Sequence, residues 1–84
     1  METEEIRRTI KVCIASVTSI NPEAIADDAS YVDDLSLDSL SILETVVEVE
    51  YRFKIKVPEE ELSAIRTVAD TVLTVQKYLC AQAA

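Results

Sequence analysis

The stretch DLSLDSLSILE, residues 34–44, leads from an irregular segment into a helix and positions the rest of the chain around it. Asp38 suits the N-cap position, where a carboxylate accepts hydrogen bonds from the free N–H groups of the first turn. Apolar residues then recur at helical spacing as far as Phe53, which predicts a helix over residues 38–53. Ser39 is displayed at the start of this helix. A serine in that position could be a nucleophile, an ordinary residue of a helix start, or an attachment point for another group.

A helix is also predicted before this stretch. Residues 3–20 have apolar side chains, Cys13 among them, at the spacing of one helix face, so Cys13 is expected to fill the core. Thr3 can cap the start of this helix. Asn21-Pro22 ends it, because the residue before proline avoids helical angles.

Two more helices are predicted after the stretch. A short one begins at Pro58 and ends near Ile65. The last one runs to about Leu79 from a capping box formed by Thr67 and Asp70. Its end leaves Cys80 close to the C-terminus, where we expect it to be exposed.

The segments between the helices set the fold class. Residues 53–57 alternate like a strand, but no partner strand exists elsewhere, so an extended connector is expected. Residues 21–37 form a long loop that we expect to be ordered, since apolar side chains between its acids can pin it to the core: Ile25, Tyr31, Val32, Leu35 and Leu37. The chain has no glycine, so Asn and Asp are expected at any left-handed positions. The predicted fold is all-α, a small bundle of three main helices plus one short helix.

Composition limits the classes of function. The 84 residues predict a single domain over residues 1–84, and the net charge of −8 disfavours nucleic acid and anionic membranes and favours a basic partner surface. No apolar run approaches the roughly 18–20 residues of a membrane span. The start METEEIRR lacks a secretory apolar stretch, and two cysteines far apart are typical of a reducing cytoplasm, where we expect the protein. We also expect a monomer when the protein is free.

The chemistry available to Ser39 is narrow. A serine nucleophile needs a base, and the chain has no histidine. The acids around it do not form a calcium loop, because a loop read from Asp28 has Val32 at its fifth position and Asp33 at its sixth, where glycine is needed. Without histidine a zinc site is also disfavoured. We therefore expect no catalytic residue and no metal site, while the helix-start and attachment hypotheses both stay open.

Several motifs together resemble the acyl carrier protein family. Asp38-Ser39-Leu40 is preceded by SYVDDL at residues 30–35 and followed by an acidic helix. The similarity covers nearly the whole chain and includes NPE at residues 21–23, the connector FKIKVP at residues 53–58 and the Thr67-Val68 step into the last helix. Asp-Ser-Leu alone is a weak motif, but its combination with this order, length and acidity is a strong one.

This resemblance implies an attachment point. In that family the serine that matches Ser39 carries a 4′-phosphopantetheine arm, with Asp38 and Leu40 beside it, installed from coenzyme A by a phosphopantetheinyl transferase. The protein would then be a carrier and not an enzyme, holding acyl groups as thioesters. The second helix would meet basic patches on enzymes through four residues: Asp38, Glu44, Val47 and Glu50.

The resemblance also indicates a pathway. The run DSLSILET at residues 38–45 is more similar to discrete carriers of type II polyketide synthases, so the expected partners are a ketosynthase with its chain-length factor, a malonyl-loading acyltransferase and tailoring enzymes. Type II fatty acid synthesis is the alternative, and an unmodified acidic interaction module is a third. Ser36 and Lys54 replace glycines common in the family, and Tyr51-Arg52 replaces acids, which predicts a shorter acidic patch with a basic far end.

Overall fold

The structure, a computed structural model, describes residues 2–83, with side chains described for residues 2–81. Helix α1 spans Thr3–Thr18, a 3₁₀ turn spans Pro22–Ala24, and α2 spans Ser39–Phe53. Helix α3 is a single turn over Glu59–Leu62, and α4 spans Val68–Ala83. No strand occurs within residues 2–83, so the predicted all-α bundle with three main helices and one short helix is confirmed.

The core is built around α1, which contacts both α2 and α4. Its inward face buries Ile6, Ile10, Cys13 and Ile14 completely or almost so. Burial of an aliphatic side chain of this size contributes about 1.5–3 kcal/mol, which offsets part of the backbone entropy lost on folding. Cys13 is a core-filling residue, as predicted, and burial raises the pKa of its thiol to about 11. Cys80 is exposed, also as predicted.

The capping predictions have mixed outcomes. The Asp38 carboxylate caps α2, and the Thr67–Asp70 capping box is present in both directions, with N···O distances of 3.1 and 3.2 Å. The prediction for Thr3 was wrong: Glu2 holds the N-cap position of α1 and makes no side-chain cap hydrogen bond. The Thr3 hydroxyl instead accepts a hydrogen bond from Gln76 on α4.

The predicted helix ends also needed correction. Helix α1 ends at Thr18 rather than residue 20, because Ser19 turns left-handed and closes the helix with a hydrogen bond from its N–H to the Ala15 carbonyl. Helix α3 ends at Leu62, since the chain continues in tight three-residue turns that bury Ile65. Helix α4 extends past Leu79 to Ala83.

The long loop before α2 is fastened to the step between α3 and α4. The Tyr31 N–H donates to the Arg66 carbonyl at 2.9 Å, and the Val68 N–H donates to the Ala29 carbonyl at 3.0 Å. Ile25, Tyr31 and Leu37 are buried and Leu35 packs against the core, as predicted. Val32 was wrongly predicted to join them; it is 60% exposed. Two hydrogen bonds at residues 29–31 thus hold the middle of the loop that leads to Ser39.

Left-handed positions are taken by unexpected residue types. The prediction that Asn and Asp would supply them was wrong, because the residues with positive φ are Ser19 at 66°, Ser36 at 55° and Lys54 at 55°. Ser36 and Lys54 are the two positions where the family commonly has glycine. The backbone turns there are therefore of the kind that glycine adopts most easily.

No helix within residues 2–83 is long and apolar enough to cross a membrane.

Candidate functional site

The candidate site is the start of α2. Ser39 is the first residue of the helix and is exposed. One carboxylate oxygen of Asp38 accepts a hydrogen bond from the Ser41 N–H at 2.8 Å. This bond from the backbone lowers the pKa of Asp38, so the cap stays ionised at neutral pH. The cap fixes the first turn and holds the Ser39 hydroxyl at the surface.

The loop fixes Ser39 from the other side. The Leu37 N–H donates to the Tyr31 carbonyl at 2.8 Å, and Leu37 is buried. Ser36, with its positive φ, lies between these two anchored residues, directly before Leu37. Tyr31 is 1% exposed and its hydroxyl is hydrogen-bonded to Thr71 on α4. The site is therefore positioned by contacts that extend to the opposite helix.

A shallow depression of about 310 Å³ lies beside Ser39, between α2 and the region of α3. Apolar side chains dominate its lining, which consists of Ser39, Ile42, Leu43, Leu62, Ser63 and Ile65. Such a surface can hold a short apolar chain attached at Ser39, since removal of apolar area from water is favourable at about 25 cal/mol per Å². The depression offers no charged group.

The Ser39 hydroxyl lacks the usual base of a serine nucleophile. The chain has no histidine, the residue that most often serves as this base. A hydroxyl without a base is a weak nucleophile. Its position does favour a phosphate ester, because the N–H groups and the dipole at a helix N-terminus stabilise negative charge. An exposed hydroxyl at this position fits a phosphate-linked group that another protein attaches.

The outward face of α2 presents apolar side chains next to the site. Leu40 is 63% exposed, Val47 is 55% exposed and Tyr51 is 80% exposed. Glu44, between the first two, is an exposed acid. Val47 thus lies on the surface and outside the core.

The remaining acids of α2 already have partners within the chain. Glu50 accepts a hydrogen bond from the Val57 N–H at 2.7 Å and is partly buried. Glu48 forms an ion pair with Arg52 at 3.4 Å. At the predicted basic far end of the helix, Arg52 is therefore paired with Glu48 beside the exposed ring of Tyr51, and Lys54 follows at the C-cap.

The structure brings most of the residues that the sequence predicted for this site together. Asp38, Ser39, Leu40, Glu44 and Val47 lie together on or near the exposed start and outer face of α2. The sequence did not predict that Glu50 accepts a hydrogen bond from the connector, because its partner is the Val57 backbone N–H, which only the fold brings close. The sequence analysis also did not predict that Tyr51 is exposed on the outer face of α2. The one available signal was its spacing of eleven residues from Leu40, which is three turns of a helix.

Comparison with known proteins agrees with this geometry. Residues 8–75 match the family described as phosphopantetheine attachment site. The chain is 45% identical over 74 residues to the meromycolate extension acyl carrier protein of Mycobacterium leprae, covering 88% of this chain and 64% of that protein. It is 43% identical over 74 residues to the acyl carrier protein of Rhodococcus erythropolis, covering 88% of this chain and 81% of that protein. A third relative, the acyl carrier protein of Renibacterium salmoninarum, is 38% identical over 69 residues.

A four-helix chain with a displayed serine at a helix start and a match to this family defines a phosphopantetheine-bearing domain. The chain belongs to the acyl carrier protein family. Domains of this family carry a covalently attached 4′-phosphopantetheine, whose thiol holds acyl groups as thioesters. The chain spans 64% of the length of the mycobacterial relative.

Proposed function

We propose that Ser39 carries the phosphopantetheine arm and that the protein shuttles acyl intermediates between separate enzymes. The observation that carries this proposal is the exposed Ser39 hydroxyl on the first residue of α2, capped by Asp38. A helix N-terminus stabilises the phosphodiester charge. Because the chain has no histidine to act as a base, a phosphopantetheinyl transferase activates the hydroxyl, and the chain acts as a carrier subunit that performs no catalysis of its own.

The pathway we propose is a type II polyketide synthase. The run at residues 38–45 supports this assignment, as does the replacement of acids by Tyr51 and Arg52 at the end of α2. The partners are then a ketosynthase with its chain-length factor, a malonyl-loading acyltransferase and tailoring enzymes. We also propose a single carrier domain over residues 1–84, a monomer when free, that works in the cytoplasm, where the free thiols of Cys13 and Cys80 stay reduced.

Fatty acyl elongation is the second candidate. It is favoured by the names of relatives, since the mycobacterial protein is described as a meromycolate extension carrier. The depression beside Ser39 supports either pathway, because Ile42, Leu43, Leu62 and Ile65 can cover the first carbons of any apolar acyl chain.

The docking surface we propose is the outer side of α2. Asp38, Glu44 and Val47 are all exposed and lie within reach of a protein that approaches Ser39. A basic patch on the enzyme would meet the two acids, which favours fast and reversible encounters. Glu50 stays in the proposal as a weaker contributor, because its carboxylate is engaged with the Val57 N–H.

One experiment separates the two pathways. The chain receives the arm from coenzyme A through the transferase and a malonyl group from malonyl coenzyme A through a malonyl-loading enzyme. It is then offered to a type II ketosynthase with chain-length factor or to an elongating fatty acid ketosynthase, each already carrying an acyl primer. We expect faster elongation by the first. Faster elongation by the second would assign the chain to fatty acyl synthesis. Ser39→Ala should give no product with either enzyme.

A further inference from the structure

The outer face of α2 carries an apolar stripe, defined here as Leu40, Val47 and Tyr51. At 100° per residue, these three side chains project within about 40° of one another, on the side of the helix opposite its buried residues. Tyr51 lies about 16 Å along the helix axis from Leu40. It is 80% exposed, more than any other exposed large hydrophobic residue among those the structure describes. An apolar surface of this kind is typical of a binding site.

Two of the charges near the far end of the stripe pair with each other. Glu48 and Arg52 flank Tyr51 and form an ion pair with each other at 3.4 Å. Glu50 projects from a different side of the helix and is held by the Val57 N–H. Glu44 is thus the exposed acid that lies within the stripe itself. A partner that covers this face meets one free carboxylate and three apolar side chains.

We propose that Tyr51, with Val47, inserts into an apolar pocket on the ketosynthase that receives the acyl group, while a basic residue of that enzyme meets Glu44. This inference rests on the proposed function and adds to it the chemistry of the partner's surface. A tyrosine side chain buries about 150–250 Å² and loses little conformational entropy, which makes it a frequent anchor of interfaces. Docking is then driven mainly by apolar burial at the end of α2 away from Ser39.

The enzyme is a better occupant than a second copy of the chain. A protein that covers the stripe from Leu40 to Tyr51 also covers the neighbouring Ser39, so docking and delivery of the acyl group occur in one encounter. Two copies facing each other would bring together two chains of net charge −8, which opposes association. The face of a single helix buries less than the roughly 1,200 Å² of a stable interface, and this suits a carrier that must leave after transfer.

The test uses the chain fully converted to the malonyl form, as verified by mass, with the ketosynthase that elongates it. Tyr51→Ala should raise KM about tenfold with kcat unchanged, because the loss is in binding. Tyr51→Phe should stay within about twofold of the parent, since the ring is kept. Leu73→Ala is the control, because Leu73 is 65% exposed on α4, away from the stripe. It should leave KM unchanged.

Salt dependence gives a second readout. A mainly apolar contact predicts that KM of the parent changes less than about threefold between 50 and 300 mM salt, since screening weakens only the contacts that the acids make with the enzyme. The proposal would be overturned if Tyr51→Ala had the same KM as the parent. It would also be overturned if the parent were a dimer and Tyr51→Ala dissociated that dimer without changing KM. Failure of loading at Ser39 would appear earlier, in the mass measurement, and would count against the proposed function instead.

Discussion

The Glu50 carboxylate accepts a hydrogen bond from the backbone N–H of Val57, seven residues further along the chain, with an N···O distance of 2.7 Å. The bond ties the end of α2 to the connector that leads into α3. Val57 is buried, so its N–H has no water to replace the carboxylate. A residue expected from the resemblance to meet partners thus also has a structural role in this chain.

Replacement of Glu50 tests that structural role. Glu50→Ala leaves a buried N–H unpaired and should lower the free energy of unfolding by about 1–3 kcal/mol. Glu50→Gln keeps an acceptor and should cost less than about 1 kcal/mol. Glu44→Ala, on the exposed face, should change stability by no more than about 0.5 kcal/mol. Urea unfolding checks all three, and equal stabilities of the two alanine variants would contradict the account.

The hydrogen bond between Tyr31 and Thr71 gives a prediction at high pH. Burial raises the pKa of Tyr31 to about 12, above its ordinary value of 10.0. Because the folded pKa is the higher one, this stabilisation is complete below pH 10 and is lost as pH rises through 12. The full loss is about 2–3 kcal/mol.

Tyr31→Phe isolates this effect. At pH 7 the variant should be less stable by about 1 kcal/mol, since Thr71 keeps its own bond to the Thr67 carbonyl. The difference from the parent should shrink above pH 10 and change sign by about pH 11, because the parent loses more than 1 kcal/mol there and phenylalanine has no proton to lose. The raised pKa of Cys13 acts equally in both proteins. Thermal melts across pH 7–11.5 give the comparison, and a constant difference over that range would refute the prediction.

Glu61 gives the corresponding prediction at low pH. Hydrogen bonds from Tyr78 and then Lys77, both on α4, lower the pKa of this α3 carboxyl. A depressed folded pKa means that the stabilisation is present above the ordinary value of 4.5 and is lost as pH falls through the folded pKa. Glu61→Gln should therefore melt at a lower temperature than the parent at pH 7. The two melting temperatures should converge below about pH 4, and a gap that persists there would contradict this assignment.

The left-handed residue at the end of α1 predicts a stabilising substitution. Ser19 has φ of 66°, where a Cβ atom costs energy, so Ser19→Gly should stabilise the protein by about 1 kcal/mol. Ser16 offers a matched control, because it is an exposed serine within α1. Ser16→Gly should destabilise by about 0.5 kcal/mol through loss of helix propensity. Thermal unfolding of both variants decides the point, and a shift of the same sign in both would show that the backbone angle has no influence.

Features that depend on neighbours in sequence could be predicted. The four helices, the Asp38 cap and the Thr67–Asp70 capping box all follow from periodicity and from side chains that reach two or three residues along the chain. The core position of Cys13 follows in the same way, since it shares a helix face with Ile6 and Ile10.

Features that depend on contacts across the fold could not be predicted. The exposure of Val32 results from the orientation of the loop after Tyr31 is anchored to Arg66, and no local pattern encodes that anchor. The left-handed turns at Ser36 and Lys54 gave no local signal either, because the usual signal is glycine; only the resemblance, in which glycine is common at both positions, marked them.

The central claim is that Ser39 carries the arm, and the intact mass of the purified chain tests it most directly. The chain free of the arm is incubated with coenzyme A and a broad-specificity phosphopantetheinyl transferase, beside Ser39→Ala and the neighbouring control Ser41→Ala. The account predicts a gain of one phosphopantetheine arm, roughly 340 Da by its formula, in the parent and in Ser41→Ala, and none in Ser39→Ala. A gain in Ser39→Ala, or no gain in a folded parent, would contradict it.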